Sequence, residues 1–280
     1  MATTAASAGL TEAQLVESSK KAAAYQAVAD HLEPSYRNVG IGSGSTVVYV
    51  VEAIAALGKD VTSQMTFYPT GEQSRQLIKT AGLRLAYIQD LPVTEQLDVA
   101  FDGADEVDAE LNLIKGGGAC LFQEKIVATA AKKFVVVADF RKISPQLGTS
   151  WKKGIPIEVL PMATDRVLRE LALLGSIKPT IRSGLPGKAG SIVTDNGMAI
   201  IDAPFAPLLL PSQVKGQDGV NGVWSVDGLA DKLIKITGVV EIGLFFGHNG
   251  KQVASGAQKP VAAYFGMADG EVKVQPATSN

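Results

Sequence analysis

The residues best suited to chemistry in this sequence lie in three segments that each contain glycine. They are GSGST at residues 42–46, DGADEVD at residues 102–108, and KGGGA at residues 115–119, with Glu124 a short way beyond. A carboxylate can act as a general base or accept hydrogen bonds, and a lysine can stabilise a developing oxyanion. Glycine lets the backbone approach a ligand closely. For each segment a purely structural role is also possible, and the residue types alone do not decide between that role and a functional one.

The first segment does not match a nucleotide-binding motif. Ser45 occupies both the third glycine position of a dinucleotide fingerprint and the lysine position of a Walker A loop. What remains is a predicted strand, a glycine loop with hydroxyl groups and a helix N-terminus, which together favour one small anion. A plain helix cap by Ser45 or Thr46 is the alternative.

The acidic segment 102–108 directly follows an apolar strand predicted at residues 97–101. Open α/β sheets bind ligands at the carboxyl ends of their strands, where carboxylates can accept hydrogen bonds from sugar hydroxyls. Oxygen ligands also suit a hard cation such as Mg²⁺. A solvated surface turn explains the same residues without a ligand.

The third segment brings a lysine, three consecutive glycines and a carboxylate together. Glu124 falls on a stripe of small and apolar residues of a helix predicted at 115–133. Such surroundings raise a carboxyl pKa, which suits a general base near neutral pH. A solvated Glu124 at the rim of the sheet is the alternative.

Alternating helices and strands position these segments in the first half of the chain. The predicted helices are 11–32, 46–57, 72–81 and 115–133, and the predicted strands are 38–41, 65–68, 84–87, 97–101 and 134–138. This alternation is typical of a parallel sheet covered by helices.

The pattern changes after residue 148. It predicts strands at 155–160, 191–202 and 239–246, helices at 164–174 and 226–236, and a long loop at 204–224. A strand pair is expected around residues 268–270. A small α+β domain fits this mixture.

Composition excludes several protein classes. Hydrophobic residues make up 46% of the 280, which is too many for a disordered chain, and the net charge of −2 argues against a nucleic-acid binder. The single cysteine argues against an internal disulfide. The presence of only two histidines argues against a His-rich metal site and a Ser-His-Asp triad. No apolar stretch reaches the ~20 residues of a membrane span. Residues 1–9 lack signal-peptide features and are expected to form a frayed tail, so we predict a cytoplasmic protein.

Taken together, the three segments resemble ribose-5-phosphate isomerase type A. The similarity extends over nearly the whole chain, and the order of the three motifs is highly specific. The eukaryotic form is indicated by PTG at 69–71 with QSR at 73–75, and by ACLFQEK at 119–125. Two departures are Glu72, where an aromatic residue is expected, and a loop at 204–224 longer than in compact bacterial members.

The resemblance implies a Rossmann-like parallel sheet domain with a second, smaller α+β (ferredoxin-like) domain. The expected boundaries are 10–150 plus 247–280 for the catalytic domain and 151–246 for the smaller domain, which is involved in assembly. A homo-oligomer, either a dimer or a tetramer, is expected. The leucine-rich segment 205–211 is predicted to be buried at its interface.

The activity implied is interconversion of D-ribose 5-phosphate and D-ribulose 5-phosphate through an enediolate, in the non-oxidative pentose phosphate pathway, with no metal or cofactor. Glu124 would be the base, and Lys115 would stabilise the oxyanion. Asp102 and Asp105 would bind sugar hydroxyls and assist either ring opening or proton transfer between O1 and O2. Lys20 would either face the phosphate or lie on the helix surface. The remaining substrate-binding residues implied are Ser43, Gly44, Ser45, Thr46, Gly103, Ala104, Gly116, Gly117, Gly118 and Lys142.

Two other classes of function share this fold. A sugar-phosphate effector domain of a transcription regulator would bind without turnover, and would carry a helix-turn-helix extension. A CoA transferase would use a glutamate as its nucleophile and would need an acyl-CoA channel. Conversion of ribose 5-phosphate to ketose separates the three.

Overall fold

The computed structural model describes residues 11–216 and 218–278. The expected frayed tail at 1–9 lies outside these residues. The helices of the described part are α1 Glu12–His31, α2 Val47–Ala56, α3 Lys59–Thr62, α4 Glu72–Thr80, α5 Leu121–Thr129, α6 Thr164–Leu173 and α7 Val226–Leu233. Its strands are β1 Asn38–Ile41, β2 Thr66–Pro69, β3 Val99–Asp102, β4 Glu106–Val107, β5 Leu113–Ile114, β6 Phe134–Asp139, β7 Ile155–Val159, β8 Thr180–Ile181, β9 Ala199–Ala203, β10 Val239–Ile242, β11 Leu244–Phe245, β12 Ala262–Gly266 and β13 Val272–Pro276. None of these helices combines the length and apolar character needed to span a membrane.

The large sheet has six strands in the order β13-β12-β6-β3-β1-β2. Strands β2, β1, β3, β6 and β12 run parallel, and β13 closes one edge as an antiparallel strand. Every residue of β3 and β6 is buried, as expected for strands covered on both faces. Helices α1 and α2 contribute to one apolar cluster against this sheet, and α5 contributes to another. The predicted parallel, helix-covered sheet is confirmed.

The smaller sheet has the order β10-β7-β9-β8 and is entirely antiparallel. Helices α6 and α7 pack on it and share its apolar core, which contains Val167, Leu171, Leu229 and Leu233. This confirms the predicted α+β unit. The residue boundaries between the two domains stay a prediction.

A third sheet, β11-β5-β4, was not predicted from the sequence. The strand expected at 239–246 breaks at Gly243, so that β10 joins the smaller sheet and β11 pairs with β5. Gly243 donates to the Pro156 carbonyl at 2.7 Å and accepts from the Lys115 amide at 2.9 Å. The backbone therefore approaches Gly243 from two sides, at Lys115 and at Pro156. A Cβ atom at position 243 would lie 2.5 Å from the carbonyl oxygen of Lys115.

Two predicted strands are wrong in whole or in part. At residues 84–87 only Leu85 bridges, to Phe67, and the chain then turns into a 3₁₀ helix at Ile88–Asp90. The strand predicted at 191–202 is reduced to β9, because residues 194–198 form a tight turn with Thr194 and Met198 hydrogen-bonded. The residues before β9 that were predicted as part of this strand therefore belong to the turn and to the segment leading into it.

The helix predicted at 115–133 begins later, at Leu121. Gly116 and Ala119 have φ values of +97° and +62°, in the left-handed region that a right-handed helix excludes. Residues 115–120 are therefore a loop that joins β5 to α5. This correction moves the lysine and the glycines off the helix and onto a loop.

The long loop predicted at 204–224 contacts the smaller domain at both of its ends. Phe205 and Leu208 are buried in the core of that domain, and the Leu209 amide donates to the Trp224 carbonyl at 2.8 Å. Part of the apolar segment 205–211 is thus covered within the chain itself. Its burial between subunits stays a prediction.

Candidate active site

The three segments meet at one edge of the large sheet. Strands β1 and β3 are parallel neighbours, so the loops that leave their carboxyl ends lie side by side. The β5–α5 loop closes over them from the smaller-domain side. The resulting cavity of about 240 Å³ is lined by Ser43, Gly44, Ser45, Thr46, Gln73, Gly103, Ala104, Asp105, Lys115, Gly116, Gly117, Gly118, Cys120, Glu124, Val137, Ala138, Asp139 and Lys142.

A buried ammonium group lies at the base of the cavity. Lys115 Nζ lies 2.6 Å from the Gly103 carbonyl, 2.8 Å from Asp102 Oδ2 and 3.2 Å from Glu124 Oε1. Burial favours the neutral amine, but the Asp102 and Glu124 charges outweigh it and leave the pKa of Lys115 raised. Lys115 is therefore a fixed positive charge.

Glu124 stands in the first turn of α5, opposite that lysine. Burial raises the pKa of Glu124 to about 7, the Lys115 charge opposes this, and the Asp102 and Asp105 charges add to it. One carboxylate oxygen, Oε1, pairs with Lys115. The other, Oε2, is buried without a hydrogen-bond partner among the residues the structure describes. This carboxylate can accept a proton near neutral pH.

Asp102 lies behind the cavity wall and holds the first glycine loop. Its Oδ1 atom accepts from the Ser43 amide at 3.1 Å and from the Gly103 amide at 2.7 Å. Burial raises the pKa of Asp102, while Lys115 and these two amides oppose the shift. A Cβ atom at position 42 would collide with the Asp102 side chain, which explains Gly42.

The first glycine loop forms one end of the cavity. The Ser43 hydroxyl lies 2.9 Å from that of Thr70, and the Gly44 amide donates to Gln73 Oε1 at 2.8 Å. Thr46 precedes α2 but makes no side-chain capping bond, so the N-terminus of α2 is open to a ligand anion.

Lys20 lies at the same end of the cavity. Its Nζ donates to Ser45 Oγ at 3.1 Å and to Glu17 Oε1 at 2.7 Å, and the residue is 6% exposed. The prediction that Lys20 lies on the exposed surface of its helix is therefore wrong. A cation, hydroxyl groups and a helix N-terminus together suit a phosphate.

The second glycine loop forms the opposite wall. The Gly117 amide donates to Asp105 Oδ2 at 2.7 Å, and a Cβ atom at Gly117 would collide with that carboxylate. Lys142 lines the cavity where the chain leaves β6, with its Nζ 5.3 Å from the centre of the Trp151 ring.

Several residues at the site were not proposed as ligands from the sequence, among them Thr70, Gln73 and Cys120. The first two follow β2, which is parallel to β1, so the same carboxyl-end rule was the available signal. Burial and then the Glu124 charge raise the pKa of the Cys120 thiol to about 12, so that it stays neutral.

Within the described residues, no group of three or more His, Cys, Asp or Glu side chains could hold a metal ion. His31 lies away from the cavity, where its Nε2 is 3.0 Å from Tyr264 Oη.

Sequence comparisons agree with this geometry. The family described as ribose 5-phosphate isomerase A (phosphoriboisomerase A) matches residues 66–259. The ribose-5-phosphate isomerase of Debaryomyces hansenii is 48% identical over 262 residues, which cover 93% of this chain and 92% of that protein. The Schizosaccharomyces pombe ribose-5-phosphate isomerase is 46% identical over 263 residues, covering 94% and 85%.

Comparison with solved structures leads to the same family at lower sequence identity. Ribose 5-phosphate isomerase A from Methanocaldococcus jannaschii superposes with a TM-score of 0.74 at 30% identity, over 93% of this chain and 99% of the other. A D-ribose-5-phosphate isomerase in complex with phospho-erythronic acid has a TM-score of 0.75 at 32% identity, with coverage of 93% and 99%. The resemblance found in the sequence motifs is confirmed, and the chain belongs to the ribose 5-phosphate isomerase A family.

Proposed function

We propose that this chain interconverts D-ribose 5-phosphate and D-ribulose 5-phosphate in the cavity described above, by proton transfer through an enediolate. The observation that carries the proposal is Glu124 Oε2, a buried carboxylate oxygen without a partner among the described residues, beside the fixed charge of Lys115. A base and a cation held this close suit proton abstraction next to a carbonyl group. Family membership supports this reaction over an effector domain or a CoA transferase.

The proton shuttle is assigned to Glu124. Its carboxylate takes the C2 proton of the ring-opened aldose, and the C2–H electron pair forms the C1–C2 double bond of a cis-enediolate. As this double bond forms, the C1 carbonyl π pair moves onto O1. The hydroxyl proton then passes from O2 to O1, the C2 carbonyl forms, and the same carboxyl group returns its proton to C1, which gives the ketose and regenerates the carboxylate. A pKa near 7 lets one group perform both steps.

Lys115 stabilises the negative charge that develops on the substrate oxygen. The ammonium group is shielded from solvent, and its position is set by the Gly103 carbonyl and by Asp102 and Glu124. The site therefore needs little reorganisation during the reaction. Asp105 faces the cavity and is assigned to sugar hydroxyls and ring opening. The sequence also assigned Asp102 to sugar hydroxyls, but Asp102 is buried and does not line the cavity. It is therefore assigned instead to holding Lys115 and the loop at Ser43.

The phosphate is assigned to the end of the cavity formed by residues 43–46. Lys20, the loop hydroxyls and the N-terminus of α2 provide positive charge and hydrogen-bond donors there. Lys142 and the loop at residues 116–118 are assigned to the remaining oxygen atoms of the sugar.

The direct test is to incubate the purified chain with ribose 5-phosphate and follow ketose formation. Accumulation of ribulose 5-phosphate supports the proposal. Saturable binding without any ketose would instead favour an effector domain. Phospho-erythronic acid, whose carboxylate resembles the enediolate in charge, is expected to inhibit competitively.

Removing a phosphate contact should act on substrate binding. Ser45→Ala deletes the hydroxyl that accepts from Lys20. We expect KM for ribose 5-phosphate to rise about 10- to 100-fold, in line with ~1.5–3 kcal/mol for a hydrogen bond to a charged group. The turnover number should fall less, because Glu124 and Lys115 are untouched. Steady-state kinetics beside the exposed control Ser63→Ala measure both; a pure loss of kcat in Ser45→Ala contradicts the phosphate assignment.

The pH dependence of the reaction should report Glu124. Because the base must be ionised in the free enzyme, kcat/KM should rise with pH and level off above an apparent pKa of about 7. An ordinary exposed glutamate would instead level off near 4.5. Initial rates between pH 5 and 9, at constant ionic strength, separate these two curves.

Three wider assignments rest on the sequence. We propose domains at 10–150 plus 247–280 and at 151–246, a homo-oligomer, and a cytoplasmic location. The free thiol of Cys120 is compatible with a reducing compartment. Multi-angle light scattering tests the oligomer: a mass of 29.2 kDa, that of a single chain, would contradict it.

A further inference from the structure

One arginine of the smaller domain reaches into the active-site loop. Arg182 follows β8, and its Nη1 donates to the Gly116 carbonyl at 2.9 Å and to the Gly117 carbonyl at 3.0 Å. These carbonyls belong to the glycine loop that lines the cavity. Arg182 itself is not among the residues that line the cavity, so it touches the loop from behind.

The other edge of the guanidinium is held by Asp202 on β9. Arg182 Nε donates to Asp202 Oδ2 at 2.8 Å, and Nη2 donates to Asp202 Oδ1. Both side chains are mostly buried, with 11% and 14% exposed. Because the guanidinium is planar and doubly held by a carboxylate of the smaller sheet, its remaining donors point in a fixed direction.

Fixing these two carbonyls also orients the amides that follow them. In a trans peptide the C=O and the next N–H point in opposite directions. The Gly116 carbonyl faces Arg182, and the Gly117 amide accordingly points away, to Asp105 Oδ2 at 2.7 Å. By the same geometry, the Gly117 carbonyl turns the Gly118 amide away from Arg182. A Cβ atom at Gly118 would meet nothing within 4 Å, so the space beside this residue is open.

Glycine gives such an external clamp a role in addition to the turn bond within the loop, which the Ala119 amide donates to the Gly116 carbonyl at 3.1 Å. Gly116, Gly117 and Gly118 lack side chains that would restrict their peptides, and consecutive glycines have many accessible conformations. A loop that must present amides to one substrate atom therefore needs contacts from outside. Among the described residues, Arg182 supplies these contacts to both carbonyls at once.

We propose that Arg182, held by Asp202, is a positioning residue for the isomerisation. It orients the Gly117 and Gly118 peptides so that one amide holds Asp105 and the other faces the substrate oxygens. The inference rests on the proposed function and deepens it, because it makes the smaller domain part of the catalytic geometry. The phosphate end of the cavity does not depend on this clamp.

The experiment compares Arg182→Gln with the matched control Arg166→Gln, an exposed arginine on α6 of the same domain. We expect kcat to fall about 10- to 100-fold in Arg182→Gln, since small misplacements of catalytic groups are costly, with KM changed by less than about 3-fold. Inhibition by phospho-erythronic acid should weaken in parallel with kcat, whereas inhibition by inorganic phosphate should not. The control should match the parent in all four quantities.

Two further variants keep the test decisive if Arg182→Gln does not fold. Arg182→Lys keeps the charge, but its single nitrogen atom cannot hold both Asp202 oxygens and also reach both carbonyls. Asp202→Asn keeps the guanidinium but loosens its anchor. Each should lose kcat by an intermediate factor, with KM conserved and circular dichroism unchanged. Parent-like kcat in both variants, or a loss confined to KM, overturns the inference. The parent's own turnover tests the proposed function separately: if it makes no ketose, that proposal fails, and if Arg182→Gln turns over normally, only this inference fails.

Discussion

Replacing Glu124 by glutamine is expected to lower kcat about 10²- to 10⁴-fold, the usual contribution of a general base. The amide keeps the shape of the side chain but cannot take the C2 proton. Binding of ribose 5-phosphate should stay within about 3-fold of the parent, because the contacts at residues 43–46 are untouched. Exchange of the C2 hydrogen with solvent should collapse together with isomerisation, since both begin with the same deprotonation.

The measurement combines steady-state kinetics, substrate binding and C2 exchange followed by NMR in deuterated water. Glu271→Gln, an exposed carboxyl near the C-terminus, is the matched control and should behave like the parent. If Glu124→Gln kept most of its turnover and its exchange, the base would have to be another carboxylate. Asp105, which lines the cavity, would then be the first candidate, ahead of Asp102, which lies behind the cavity wall.

Glu124→Gln should also change how stability depends on pH. The pKa of Glu124 is raised by burial from 4.5 to about 7 on folding, so the folded state holds this proton more tightly than the unfolded chain. This group's stabilising contribution is complete below pH 4.5 and is lost as pH rises through 7. The variant should therefore gain in unfolding free energy relative to the parent between pH 5 and pH 8, measured by urea denaturation.

Replacing Lys115 by methionine is expected to damage both activity and stability. Activity should fall about 10²- to 10³-fold, as when one preorganised oxyanion donor is removed. The unfolding free energy should fall by about 3–5 kcal/mol, because Asp102 and Glu124 remain buried without their counter-charge. Without the lysine, the pKa of Glu124 should rise further, and the apparent pKa of any residual activity should move to higher pH.

Urea denaturation and pH–rate profiles measure these effects, with the exposed Lys59→Met as control. The stability loss should be larger at pH 8 than at pH 5, since protonated carboxyls no longer need the ammonium group. Lys115→Arg, which keeps the charge in a bulkier group, should recover stability better than activity. A Lys115→Met variant as stable as the parent at pH 8 would contradict the assignment of Lys115 as the counter-charge.

The sequence by itself determined the order of the elements around the site. Strand β1 was predicted at its observed bounds and β6 to within one residue, because short apolar runs between glycine and polar residues have few alternatives. The rule that parallel strands present ligands at their carboxyl ends was enough to bring residues 42–46 and 102–105 together. Residue types and this rule are accordingly enough to propose Glu124 as the base, Lys115 as the cation and residues 42–46 as the anion loop.

Local patterning failed where distant backbone decides the conformation. Residues 115–118 read as the start of a helix, but Lys115 is hydrogen-bonded to Gly243, which is far away in the chain. The same contact splits the predicted strand at 239–246 into β10 and β11. No window of sequence contains both partners, so no periodicity could predict either result.

Only the tertiary structure decided the electrostatics of the site and its support. The pKa of Glu124 depends on burial and on charges at the end of β3 and in the loops that follow β3 and β5. The burial of Lys20 depends on a loop that follows β1. Arg182 has no local signal at all, because its partners lie on β9 and on a loop more than sixty residues earlier. Residue types determine which chemistry is available, but desolvation and the direction of each dipole are properties of the packed chain.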